Sequence, residues 1–120
     1  FSGGVLYHAL GQGETSWETT LPTATFTLTK LHNEHFRKIP DSINYIDENG
    51  NPTIAITDII RIKTTFDYNE ANGYWIREQG LVGGNATVIL ESGYFIDAIW
   101  HHGIYKDDSV KITRYIELIF

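Results

Sequence analysis

Hydrophobic and polar positions alternate with a period of two along most of this chain, the pattern of half-buried β-strands. In the last stretch, DSVKITRYIELIF, Val110, Ile112, Ile116, Leu118 and Phe120 share one face, and Lys111, Thr113, Tyr115 and Glu117 the other. Arg114 interrupts the apolar face, where its aliphatic stem can run past the edge of a core. ITDIIRIKTTFDY repeats the pattern, with Ile60, Ile62, Thr64 and Phe66 set against Arg61, Lys63, Thr65 and Asp67. VLYHALGQG reads as a strand ending in glycines. ATVILESGYFIDAIW, residues 86–100, reads as strand material broken at Gly93 by a bulge or turn.

Between SINYI and TIAIT lies DENGNP, whose Asn49-Gly50 pair supplies the positive φ angles of a tight turn and predicts a hairpin. A helix is expected in one place only, TFTLTKLHNEHFRK, where Leu28, Leu31 and Phe36 can share a face. Its threonines limit that helix to about two turns. The preceding ETSWETTLPTA, with Pro22, reads as a loop. Short strands joined by Gly, Asn and Asp turns predict an all-β fold: an antiparallel β-sandwich or flattened barrel with at most one short helix. Residues 1–120 form a single domain in this reading, with the opening FSGG a linker or tag remnant. A chain without Met that begins at Phe1 also reads as trimmed or as a piece of something longer.

Composition narrows the function classes. Nine basic and fifteen acidic residues give a formal charge of -6, and the basic residues never form a run. Displacing counterions from a nucleic-acid backbone needs a concentrated basic patch, so nucleic acid is not an expected partner. The absence of cysteine excludes disulfides, zinc-thiolate sites and thiol catalysis. No apolar run approaches the length of a membrane-spanning helix, and no membrane insertion is expected.

Candidate chemistry is sparse. His32 and His35 are three apart, His101 and His102 are adjacent, and His8 stands alone. On one helical turn His32 and His35 could share a metal, but adjacent histidines in a strand diverge unless the strand breaks there. No HExxH motif or thiolate accompanies them, so no metal site and no cofactor are expected. Among the acids, Asp107-Asp108 reads as turn chemistry, and Glu14, Glu18 and Glu34 have no cleft to point into. Ser16, Ser42, Ser92 and Ser109 lie outside any nucleophile elbow, and GQG lacks the remainder of a phosphate loop. No enzymatic activity is expected.

The three Trp, seven Tyr and six Phe read first as packing. Trp17, in a polar loop, is the candidate for an exposed aromatic that could stack on a sugar. Trp75 and Trp100 lie in strands and read as core or interface. Trp100, Tyr105, Ile119 and Phe120 are candidate subunit-interface residues, because Ile119 beside Phe120 leaves both faces of the terminal strand apolar. Such a strand could equally lie between the two sheets of one domain.

NGYWIREQGLVGGN, residues 72–85, reads as a strand running into a sharp turn. Alternation sends Tyr74, Ile76 and Glu78 to one face and Trp75, Arg77 and Gln79 to the other. Glu78 on an apolar face would be costly to bury charged unless donors meet it. It is therefore expected to act as a structural acceptor, with Gly80 and Leu81 forming the turn it ties down.

Read in order, LYHALGQGE, then TKLHNEHFRK with Leu31, Glu34, Arg37 and Lys38, then GYWIREQGL with Gly73, Ile76, Glu78, Gly80 and Leu81, and last GIYKDDSVKITRYIELIF with Lys106 and Ser109 form an ordered series. Across residues 5–120 that series resembles small phage tail, baseplate and tail-fibre proteins. The chain lacks the helical segment that often opens those proteins, and carries VGGN where they have an acidic or aromatic turn. The resemblance implies a virion structural module made in the host cytoplasm, without catalytic residues or cofactor. It further implies a homo-oligomer, a trimer or ring, joined to other tail or baseplate proteins. The alternative is a carbohydrate-binding module that recognises a host surface glycan, with Trp17 as its first contact.

Overall fold

The computed structural model describes residues 4–21 and 30–120. Eight strands follow one another: β1 (Val5–Gly11), β2 (Glu34–Lys38), β3 (Ser42–Ile46), β4 (Pro52–Thr53), β5 (Ile59–Phe66), β6 (Tyr74–Gly83), β7 (Tyr94–Lys106) and β8 (Ile112–Ile119). One 3-10 turn, Thr15–Glu18, is the only helical element among the described residues. The strands form two four-stranded antiparallel sheets, ordered β2-β1-β6-β7 and β4-β3-β5-β8. The fold is an all-β sandwich.

The alternation seen in the sequence explains the layering. In β5, Ile60, Ile62, Thr64 and Phe66 are buried while Arg61, Lys63 and Thr65 are only partly so. In β8, opposite it, Ile116 is buried and Thr113, Tyr115, Glu117 and Ile119 are exposed. Two core clusters join the sheets. Val5 and Leu81 meet Ile60, Ile62 and Ile116 at one end, and Leu10 and Ile76 meet Phe66 and Ala71 at the other. Each buried aliphatic or aromatic side chain contributes on the order of 2 kcal/mol.

Several local expectations are corrected. Glu34–Lys38 is strand β2, paired with His8–Gly11 of β1, and not the end of a helix. A Thr-rich segment has little helical propensity to set against a ladder with β1, and that ladder lets Phe36 meet the edge of Phe66. The first part of that expected helix, with Leu28, lies outside the described residues, as do Pro22 and residues 1–3. The hairpin at 46–52 forms, but its second arm is only Pro52–Thr53, and Ile54 and Ile56 are exposed. In its turn Gly50 alone has positive φ (81°), while Asp47 accepts hydrogen bonds from the backbone N–H groups of Asn49 and Asn51.

Residues 84–93 are a loop and not strand material, which leaves Val88, Ile89 and Leu90 exposed. Gly93 ends this loop at φ 89°, a conformation side chains resist. Strand β6 passes straight through Gly80 and Leu81 to Gly83, so no turn lies there.

Strict alternation also fails within β6. Ile76 pairs with Ile104 but Glu78 with Trp100, so Arg77 stands opposite three residues of β7: His101, His102 and Gly103. This bulge turns Arg77 and Glu78 toward the same outer layer. Ile76 faces the core, and Gln79 reaches the buried His8. Bulges of this kind re-aim side chains, here two neighbouring charges at once.

Candidate functional site

Glu78 is fully buried at 0% exposure. Its carboxylate accepts backbone hydrogen bonds from His32 (2.6 Å) and Asn33 (2.6 Å), and a third from Gly13 (3.1 Å). It lies over Gly11, where a Cβ would collide with its carboxylate. The donors belong to the two ends of the β1–β2 connection, which also meet directly through Gln12 N–H to Asn33 O at 2.9 Å. The expected donors around Gly80 take no part. Arg77 completes the layer: it donates to Glu18 at 2.7 Å and to Gln12 O at 3.0 Å, with its guanidinium 5.6 Å from the Trp75 ring centroid. The Arg77 guanidinium holds the Glu18 carboxyl below its usual range.

Trp17 is corrected outright. It is 7% exposed, closed over Gly13, with its ring 5.7 Å from His32 and 6.3 Å from Trp100. Its burial removes the ground on which it was a sugar-contact candidate. Exposed aromatics stand elsewhere, among them Trp75 (46%) and Tyr105 (44%), paired across β6 and β7 with ring centroids 5.3 Å apart. Ile119 and Phe120 are also exposed, at 72% and 74%, while Trp100 is half-buried against Trp17.

A second polar system runs through the interior. Thr64 Oγ1 and His8 Nδ1 are 3.0 Å apart, His8 Nε2 and Gln79 Oε1 2.9 Å, Gln79 Nε2 and His101 Nε2 2.9 Å, and His101 Nδ1 and His102 O 2.7 Å. The carbonyl of His102 can only accept, so neutral His101 carries its proton on Nδ1 and its Nε2 accepts from the Gln79 amide. Gln79 Oε1 then accepts from His8 Nε2–H, and the Thr64 hydroxyl donates to His8 Nδ1. Burial lowers the His8 pKa from 6.5 to about 4, against the opposing Gln79 hydrogen bond, and the Arg114 charge lowers it further. Burial likewise lowers His101. The Thr64–His8 pair has the spacing of a hydroxyl and its base, and both side chains are 0% exposed.

This chain of hydrogen bonds ends at a cleft between β7 and β8, with a volume of about 390 Å³. Ile99, Ile104, Tyr115 and Ile116 form its apolar walls, and Gln79, His101 and Arg114 its polar floor. Strand β7 is the last strand of one sheet and β8 of the other, so the cleft opens along one edge of the sandwich. His101 and His102 diverge at the bulge: one meets Gln79, and the other meets the carbonyl of Trp17 at 3.1 Å. No group of three or more metal-ligating side chains is assembled among the described residues.

Sequence reasoning singled out Glu78 and missed His8, Gln79, His101 and Arg114 as one constellation. Alternation alone set Gln79 on the face opposite Ile76, and only the β6–β7 bulge brings it inward to His8. Recognising the constellation also required the register of β1 against β6. No known protein-family profile and no curated protein sequence matches the chain.

Proposed function

We propose that this chain is a non-catalytic structural and assembly module, joined to further copies of itself through the sandwich edge formed by β7 and β8. One observation carries the reading. β7 is a 13-residue edge strand with no second strand paired to it among the described residues, and it exposes Tyr94, Ile96, Ile99 and Tyr105. The 3-10 turn hydrogen-bonds to it at His102 and Gly103. Ahead of its bulge at His101–Gly103 this apolar edge offers backbone groups as a template for another strand, and monomeric proteins guard against this with charges, prolines, bulges or short edges. No proline lies in β7, and its inward charges are Asp97 and the buried Lys106. The exposed Ile119 and Phe120 extend the same apolar character to the end of β8.

The ordered sequence resemblance to phage tail, baseplate and tail-fibre proteins supports a virion location and a trimer or ring. Light scattering coupled to size exclusion, over a range of concentrations, tests the proposal. A stable trimer or larger ring that Ile96→Lys reduces to a folded monomer supports it. A monomer at every concentration overturns it.

A second reading rests on the Trp75–Tyr105 pair, an exposed aromatic ledge of the kind that stacks against sugar rings. In that reading the module recognises a host surface glycan. Saturable quenching of Trp fluorescence by an oligosaccharide, lost in Trp75→Ala, supports it.

A further inference from the structure

We propose that the cleft between β7 and β8 binds a small monocarboxylate with an apolar or aromatic body, held by Arg114. This goes beyond assembly and does not depend on it.

The first ground is an uncompensated cation. Arg114 is half-buried, its Nε is buried without a hydrogen-bond partner, and it forms no ion pair among the described residues. Residues 1–3 and 22–29 contain no Asp or Glu to supply one. The other arginines contrast with it: Arg37, Arg61 and Arg77 each pair with a glutamate. A guanidinium without a counter-charge leaves its charge unmatched at the cleft, and a carboxylate placed against its terminal Nη–H groups supplies that match in a charge-assisted contact.

The second ground is the surrounding chemistry. Arg114 stands on the otherwise apolar face of β8, in a cleft of about 390 Å³, within the range of small-ligand sites. The walls from Ile99, Ile104, Ile116 and Tyr115 offer an apolar ligand body contact on several sides, and the floor is polar at Gln79 and His101. The charged groups acting on His8 and His101 at the floor are Arg114, His102 and Glu18, of which only Glu18 is acidic; Tyr115 stands in the wall, and Asp97 lies two positions before Ile99 on β7. Glu18 is committed to Arg77 and to the backbone of Gly103. A dicarboxylate would place its second charge against isoleucine, so one carboxylate with an apolar remainder is the fitting class.

Phenylacetate and its neutral analogue phenylacetamide are suitable probes, followed by NMR at the Gln79 side-chain amide and the His101 ring. The expected result is saturable shifts with phenylacetate and none with phenylacetamide. Binding should weaken about tenfold or more in Arg114→Gln, with Arg114→Lys intermediate. Arg114→Gln removes a charge without a partner and is expected to fold, which the NMR spectrum itself verifies. The titration is run on both the wild type and Ile96→Lys, so that copies covering the edge do not mask the cleft. Absence of saturable shifts in both proteins, or equal binding of phenylacetamide, overturns the proposal.

Discussion

Glu78 occupies the space in which any residue but glycine at position 11 would carry its Cβ. The carboxylate lies over the β1 backbone at Gly11 and there collects three backbone N–H groups from the β1–β2 connection. Gly11→Ala should lower stability by roughly 2–4 kcal/mol, since either the carboxylate or β1 has to move. Glu78→Gln is expected to cost a similar amount, because an amide nitrogen would confront N–H donors where an oxygen now accepts. Urea unfolding of both variants measures this. Wild-type stability in either would show that the carboxylate is not a fastening.

The buried Glu34–Arg37 pair fastens the 84–93 loop. Both side chains are 2% exposed, Arg37 Nη1 reaches Thr87 O and Ser92 O, and Glu34 accepts from the Glu91 backbone. Removing one partner strands a buried charge, so Arg37→Met should cost about 3–5 kcal/mol. The double variant Glu34→Leu/Arg37→Met should recover much of that loss. A thermodynamic double-mutant cycle from denaturant midpoints reads the difference.

His35 is stacked on Tyr74 at 4.2 Å, and neither of its ring nitrogens has a hydrogen-bond partner among the described residues. His35→Phe keeps the stack and removes the unsatisfied atoms. It should raise stability by about 1 kcal/mol, visible as a higher thermal midpoint.

Stability should fall as the solution is acidified from about pH 6.5 toward pH 4. The folded-state pKa of His8 is depressed from 6.5 to about 4 by burial, so between those values the unfolded chain binds a proton that the native chain does not. The contribution is fully present above pH 6.5 and is lost as pH falls through the folded value. His35 is depressed to about 4 by burial as well and adds to the same slope. Denaturant midpoints from pH 7.5 down to 4.5 should show the fall in the wild type, and a shallower one in His35→Phe.

The layered architecture was legible in the sequence because period-two alternation is a backbone property that β5 and β8 keep without interruption. Glu78 was singled out as a buried acceptor on a premise that the structure overturns. Alternation put it on the apolar face with Ile76, and the bulge puts it in the outer layer with Arg77, where it is buried all the same. Its donors were not legible, since they come from residues 13, 32 and 33, which no local rule places beside residue 78. The helix expected through Phe36 failed because apolar spacing alone does not register an available edge on β1. Trp17 was misplaced for a related reason: polar neighbours in sequence say nothing of a ring folding onto Gly13. The β6–β7 bulge is invisible to any pattern read on one strand, and it puts Arg77 and Glu78 on one side and Gln79 on the other.

The Thr64–His8–Gln79–His101 chain has a direction as well as a membership. Each group donates on one side and accepts on the other, so no single bond can be reversed by itself. If His101 takes up a second proton, the Gln79 amide must rotate to present its oxygen, and His8 must then exchange tautomers and donate to Thr64. One proton at the cleft thus rewrites the orientation of every hydrogen in a line that reaches the middle of the sandwich. The backbone need not move for this to happen, and the line behaves as a single two-valued element whose sense records the charge at its outer end.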